Sequence, residues 1–577
     1  MITTADTPRI AFGVRVPMRD AVTLAADVYL PPLAANESDR WPIILTRTPY
    51  LKSNEAFLDM ARYYTGQGYA LVAMDVRGRG DSDGVFVPFV NDGPDGYDAI
   101  EWLAAQPWAT GAVGTIGGSY PGYIQWLTAL EQPPHLRAMI VAVTPSDPFV
   151  ENPTGEHSPM DMCWLHFVSG RTLQPMAAVN WEAVYTHLPL LTMDERAGQT
   201  NAHWRNDLAH PQLDDYWQPR RYQHAFERVN VPTLHVSGWY DDEQIGTPLN
   251  FIGMTSRGAT PEARASQRLL MGPWGHQINT KAKLGEVDFG PLALIDLRGE
   301  HVRWFDRWLK EAKETDNNVG ASAGEEKEKA DAPVRIFVMG ANQWRNEREW
   351  PLARTQWTRY YLHSGGQANS RFGDGALSPT SPDAEPTDGY RYDPARPVPF
   401  LTEPTSSQIG GPDDYAAVER RDDALVYVTE PLTEDVEVVG PISVELYAAS
   451  SAPDTDFTAM LTDVWPTGFV QRLCDGIVRA RFREGMAAPT LIEPGKIYRY
   501  TIDCWNTAQV FKAGHRIGLM LSSSAFPKFA RNLNTGAPLS TTSEMAVAEQ
   551  VIYHDAEHPS AAILPIIPAT SGDSLDE

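Results

Sequence analysis

A serine flanked by glycines, Gly117-Gly118-Ser119-Tyr120-Pro121-Gly122, is the stretch of this 577-residue chain best suited to chemistry. Ala112-Val113-Gly114-Thr115-Ile116 before it reads as a short buried strand, and Tyr123 to Leu130 after it reads as a helix packed on a sheet. A serine on such a strand-to-helix turn projects its hydroxyl clear of the backbone, and the glycines admit a turn that side chains would block. The strict G-x-S-x-G pattern is missed, because Pro121 holds the last position and the glycine follows at Gly122. The competing reading is a Gly-Ser turn that merely opens a helix.

A serine hydroxyl is a weak nucleophile at neutral pH and needs a base, which in turn needs an orienting acid. On a mostly parallel sheet the chain order is serine, acid, histidine. Both partners follow predicted strands in that order: Gly238-Trp239-Tyr240-Asp241-Asp242-Glu243 comes after a strand ending at Ser237, and Gly272-Pro273-Trp274-Gly275-His276 after one ending at Met271. Position, not residue type, singles out His276 among 14 histidines. The order predicts Ser119, Asp241 and His276 as the catalytic set, with Asp242 left open as a rival for the acid.

The elements that must position these residues alternate. Strand-like runs at residues 43–46, 70–74, 112–116 and 138–143, with Tyr97, Ile100, Leu103 and Ala104 at helical spacing between the second and third, imply an α/β domain with a mostly parallel sheet. Residues 148–229 break the pattern with many aromatics, among them Trp164, Phe167, Trp181, Trp204 and Trp217, and read as an inserted helical cap. The sheet resumes over 230–312, with strands at 231–237 and 268–271 and a closing helix that carries Val302, Phe305, Trp308 and Leu309 on one face. A polar stretch at 313–331 reads as a linker, and 332–577, including 334–339, 442–447 and 517–521, as an all-β sandwich or jelly roll.

Composition narrows the function classes. The length asks for more than one core. A net charge of −26, with the one Lys-rich run at 325–329 offset by glutamates, argues against nucleic acid as a partner. No basic-then-apolar leader and no apolar run of membrane-spanning length is visible, and three widely spaced cysteines, Cys163, Cys474 and Cys504, argue against a disulfide framework or cysteine-rich zinc site. The expectation is a cytoplasmic protein without membrane partner, metal or cofactor, with a homodimer left open. Gly78-Arg79-Gly80 follows a strand, but Asp81 and Asp83 would repel a pyrophosphate. Asp81, Asp83, Asp92 and Asp95 read as a solvated or arginine-paired loop, not as a metal site.

Across nearly its whole length the chain resembles the CocE/NonD family of cocaine esterase-like acyl esterases, related to the X-prolyl dipeptidyl peptidases and α-amino acid ester hydrolases. The resemblance rests on Thr46-Arg47-Thr48-Pro49-Tyr50, the run Asp75 to Gly84, the Ser119 turn, Gly238-Trp239-Tyr240-Asp241 and Gly272 to His276. Downstream it continues in Asp454 to Phe457, Gly514 to Ile517 and Ser522 to Pro527. It implies an α/β-hydrolase domain with an inserted helical cap and a C-terminal jelly-roll domain, acting on a small ester or amide. It also implies that Tyr50 offers its hydroxyl to an oxyanion, with the Tyr120 amide as the second donor. Tyr50 follows the predicted strand from whose end such a donor is expected.

Glu243 and Trp164 are candidate substrate-binding residues. Glu243 stands where α-amino acid ester hydrolases carry one carboxylate of an amine-binding cluster, but their next acidic position is Gln244 here. Glu151, Glu156 or Asp161 from the cap would complete such a cluster; otherwise Glu243 faces solvent or pairs with an arginine. The expected activity is ester hydrolysis through an acyl-enzyme. The alternatives are an α-amino acid ester hydrolase or acyltransferase, an X-prolyl dipeptidyl-peptidase-type amide hydrolase, and an inert ligand-binding protein.

Overall fold

The computed structural model describes residues 7–32, 40–310, 332–402 and 410–568. The 313–331 stretch read as a linker lies outside them. Strands β1 (Arg9–Pro17), β2 (Thr23–Leu30), β3 (Trp41–Thr48), β4 (Ala70–Asp75), β5 (Ala109–Gly118), β6 (Leu136–Ala142), β7 (Thr233–Gly238) and β8 (Gln267–Gly272) lie in the order β1-β2-β4-β3-β5-β6-β7-β8. From β4 through β8 every neighbour is parallel, while β1, β2 and β4 pair antiparallel.

Parallel strands covered on both faces read as continuous apolar runs, and their side chains still alternate. Ile43 and Leu45 join a core beneath α2 (Asp92–Ala104) and α3 (Tyr120–Leu130). Ile44 between them joins the opposite core, with α1 (Glu55–Gly66) and the helix Leu297–Leu309. Phe305 of that last helix packs so close that a Cβ at Gly114 would lie 2.6 Å from its ring.

Val334–Val338, grouped by sequence with the C-terminal strands, instead extends this sheet: it pairs parallel with β8 and antiparallel with Gln343–Glu347. Its Val334, Ile336 and Phe337 share a core with Trp239, Met271 and the C-terminal Val439, Ala508 and Val510, so the strand serves both regions at once. The remaining C-terminal strands form a second, mainly antiparallel sheet, 11-stranded among the described residues.

Between β6 and β7 the chain leaves the sheet. This segment carries short helices, α4 (Asp161–Phe167), Trp181–Tyr185, Met193–Arg196 and Ala202–Leu208, around a core of its own built on Trp181, Met193 and Trp204. Ala530, Leu533 and Leu539 from the C-terminal region complete that core.

Candidate active site

Ser119 sits between β5 and α3 with φ 60° and ψ −130°, a left-handed backbone that a non-glycine residue adopts only under constraint. Its amide donates to the carbonyls of Ala142 and Val143, both at 3.0 Å, and Tyr123 N–H returns to its carbonyl at 2.9 Å. The turn is tight because Gly117 lacks a side chain: a Cβ there would lie 2.5 Å from Cβ of Pro121. Ser119 occupies the N-cap of α3 without making a side-chain cap bond, so its Oγ is left for the cavity it lines. Tyr120 opens the helix, where an amide has no preceding helical carbonyl to meet. Its phenol is engaged elsewhere, donating to Asp92 at 2.7 Å.

The loops after β7 and β8 approach closely, and a Cβ at Gly238 would lie 2.1 Å from the Trp274 carbonyl oxygen. Trp239 N–H donates to Gly272 and Tyr240 N–H to Trp274, each at 2.9 Å. Three aromatic side chains pin the pair: the Trp239 and Trp274 indoles donate to the carbonyls of Phe337 and Ala293, and Tyr240 Oη accepts from Gln471.

The outcome is a hydrogen bond of 2.8 Å between Nδ1 of His276 and Oδ1 of Asp241. Ser237 Oγ donates to Oδ2 of the same carboxylate at 2.6 Å, and the Glu243 amide to its Oδ1 at 3.2 Å. Asp242 Oδ1 lies 2.9 Å from the same Nδ1 but off the line a hydrogen bond needs. Of the two rivals, Asp241 is the one whose contact with Nδ1 has hydrogen-bond geometry. Burial disfavours the imidazolium, yet Asp242 and Asp241 together outweigh it and hold His276 well above the usual histidine range.

Ser119, His276, Tyr50, Tyr120, Trp164 and Glu243 border one cavity of about 1410 Å³. The Tyr50 hydroxyl borders the same cavity as Ser119 and accepts from Trp164 Nε1 at 3.0 Å. Burial pushes the Tyr50 phenol up to about 12, so it is a proton-bearing donor at neutral pH.

Of the three candidate carboxylates between β6 and β7, Glu151 is the one that interacts with Glu243. The two line the same cavity, and Glu151 accepts from the Ser146 amide at 2.5 Å. Burial and mutual repulsion push Glu243 well above the carboxylate range; Glu151, raised chiefly by burial, comes to about 7. Glu156 pairs with Arg479 and Asp161 with His157.

The Asp81–Asp95 cluster is taken up by cations: Asp83 pairs with Arg15, Asp81 with Lys52 at 2.6 Å and Asp95 with Arg77 at 2.5 Å. Sequence reasoning missed Ser237, and also Trp505, Lys528 and Phe529, which reach the cavity from the C-terminal region. Trp505 lies at a bulge in the strand Tyr498–Phe511 with φ 67°, and the adjoining Asn506 carbonyl accepts from Gln244 at 2.6 Å. No sequence pattern announces it.

This fold and cavity define a serine hydrolase with an α/β-hydrolase-like domain and a strand-rich C-terminal domain. Residues 20–278 match the model of the X-Pro dipeptidyl-peptidase S15 family, and residues 326–562 that of the X-Pro dipeptidyl-peptidase C-terminal non-catalytic domain. The chain is 36% identical to the cocaine esterase of Rhodococcus sp. strain MB1 Bresler, over 97% of this chain and 98% of that protein. Two solved structures superpose with TM-scores of 0.84, each covering 98% of both chains. One is an aminopeptidase from a marine sediment Thaumarchaeota archaeon at 26% identity, the other a selenomethionine-labelled α-amino acid ester hydrolase at 25%. The chain belongs to the CocE/NonD family of serine esterases that the first of these relatives represents.

Proposed function

We propose that this protein hydrolyses carboxylic esters through an acyl-enzyme formed on Ser119. His276 takes the serine proton as Oγ attacks the ester carbonyl, Asp241 holds the imidazole tautomer and stabilises its cation, and Tyr50 Oη and the Tyr120 amide meet the oxyanion. The alcohol leaves with the proton from His276, and water repeats the sequence on the acyl-enzyme. The reading is carried by one convergence: a left-handed serine at the start of α3 shares a cavity with an imidazole bound to a buried carboxylate at 2.8 Å. Residues 148–229 act as a helical cap over that cavity, and the C-terminal strands as a jelly roll that braces the cap and walls the acyl pocket.

The Glu151–Glu243 pair favours a second reading, in which the acyl group bears an α-amine. An ammonium displaces a proton from the pair and is held between two anions. Both readings are tested by kcat/KM on matched phenylacetyl and phenylglycyl esters, below the pKa of the phenylglycyl amine, with Ser119→Ala as the blank. Preference for the amino ester that is lost in Glu243→Gln supports the amine site. Preference for the neutral ester, unmoved by that change, supports a general carboxylesterase.

A further inference from the structure

Trp164 belongs to α4, outside the sheet that carries Ser119, yet it contacts both candidate oxyanion donors. Its Nε1 donates to Tyr50 Oη at 3.0 Å. Its ring stacks on that of Tyr120 at 5.9 Å and 25°, and on Phe89 at 6.3 Å and 10°. A phenol oxygen has one proton and two acceptor lone pairs, whereas an indole nitrogen only donates. The direction of this bond is therefore fixed. With the indole N–H on one lone pair, the Tyr50 proton is turned away from α4, and Tyr50 and Ser119 line the same cavity. Accepting a hydrogen bond also polarises the phenol O–H and strengthens it as a donor.

We propose that Trp164 is a positioning residue for the oxyanion site: its N–H aims the Tyr50 hydroxyl, and its ring braces Tyr120, whose amide is the second donor. The inference rests on the role given above to Tyr50. It makes the cap part of the catalytic apparatus, because α4 sets the direction of a proton that the sheet cannot orient by itself. Trp164 was expected from the sequence to touch substrate; lining the cavity is compatible with that, but its N–H is already committed to Tyr50.

The test is a double-mutant cycle between Trp164→Phe and Tyr50→Phe, read on the phenylacetyl ester. Phenylalanine keeps a ring in the stack and removes the N–H. Trp164→Phe is expected to lower kcat about 5–20-fold with KM within about twofold, a part of what a lost oxyanion donor costs. In the Tyr50→Phe background the same change is expected to cost less than about twofold. An equal loss in both backgrounds, or a change confined to KM, would make Trp164 a wall of the acyl pocket and overturn the proposal. Wild-type kcat in Tyr50→Phe alone would instead overturn the reading beneath it. Should Trp164→Phe fail to fold, benzothienylalanine at position 164, which replaces N–H by sulfur at nearly constant shape, decides the matter by the same cycle.

Discussion

Glu151 and Glu243 line one cavity and interact electrostatically, bringing the segment after β6 to the loop that carries Asp241. Burial and the Glu151 charge both disfavour ionisation of Glu243 and hold it well above the carboxylate range. The pair titrates as a unit.

Stability should carry the mark of this pair. Glu151 is raised to about 7 from an ordinary value of 4.5. A raised acid stabilises the fold fully below its unfolded pKa, and that contribution is lost as pH rises through the folded value. Between about pH 4.5 and 7 the wild type should therefore lose stability that Glu151→Gln retains. At fixed scan rate, the variant is expected to unfold at a higher temperature than wild type at pH 8 and at a similar one at pH 5.

The two aspartates beside His276 should separate by rate and by pH. Asp241→Asn removes the hydrogen-bonded carboxylate at 2.8 Å and is expected to lower kcat about 10³–10⁴-fold. Asp242→Asn removes a nearby charge that raises the imidazole pKa. The base must be neutral to act, so its loss should move the acid limb of kcat/KM to lower pH with kcat on the plateau changed much less. pH–rate profiles of the two variants check this.

Gly238 is where the acid and base loops come closest. A Cβ would meet the Trp274 carbonyl at 2.1 Å, and backbone cannot swing aside as a side-chain tip can. Gly238→Ala is expected to destabilise by about 1–3 kcal/mol and to lower kcat by parting Asp241 from His276. Thermal unfolding and steady-state turnover measure both.

Much of the scaffold was legible because its signals are local. β5, β7 and β8 are apolar runs of strand length, and Ser119, Asp241 and His276 stand just beyond their ends. β1 was not separated, since most of it is open to solvent, with Ile10 and Phe12 exposed. Val334–Val338 was given to the wrong sheet because an apolar strand does not state its neighbour. Sequence favours Asp241 as the acid but leaves Asp242 a rival one residue away. The choice lies in the direction of one N–H and in the Ser237 hydroxyl, four residues away. Glu151 was one of three candidates, and only tertiary pairing, with Glu156 on Arg479 and Asp161 on His157, leaves it for Glu243. Trp505 depends on a bulge and carried no pattern at all.

The most direct measurement is covalent labelling with a fluorophosphonate followed by peptide mass mapping. The account predicts a single adduct on Ser119, absent in Ser119→Ala and strongly slowed in His276→Ala. Labelling of wild type at another residue, or none under conditions where the protein is folded, would contradict the assignment of Ser119 as the nucleophile.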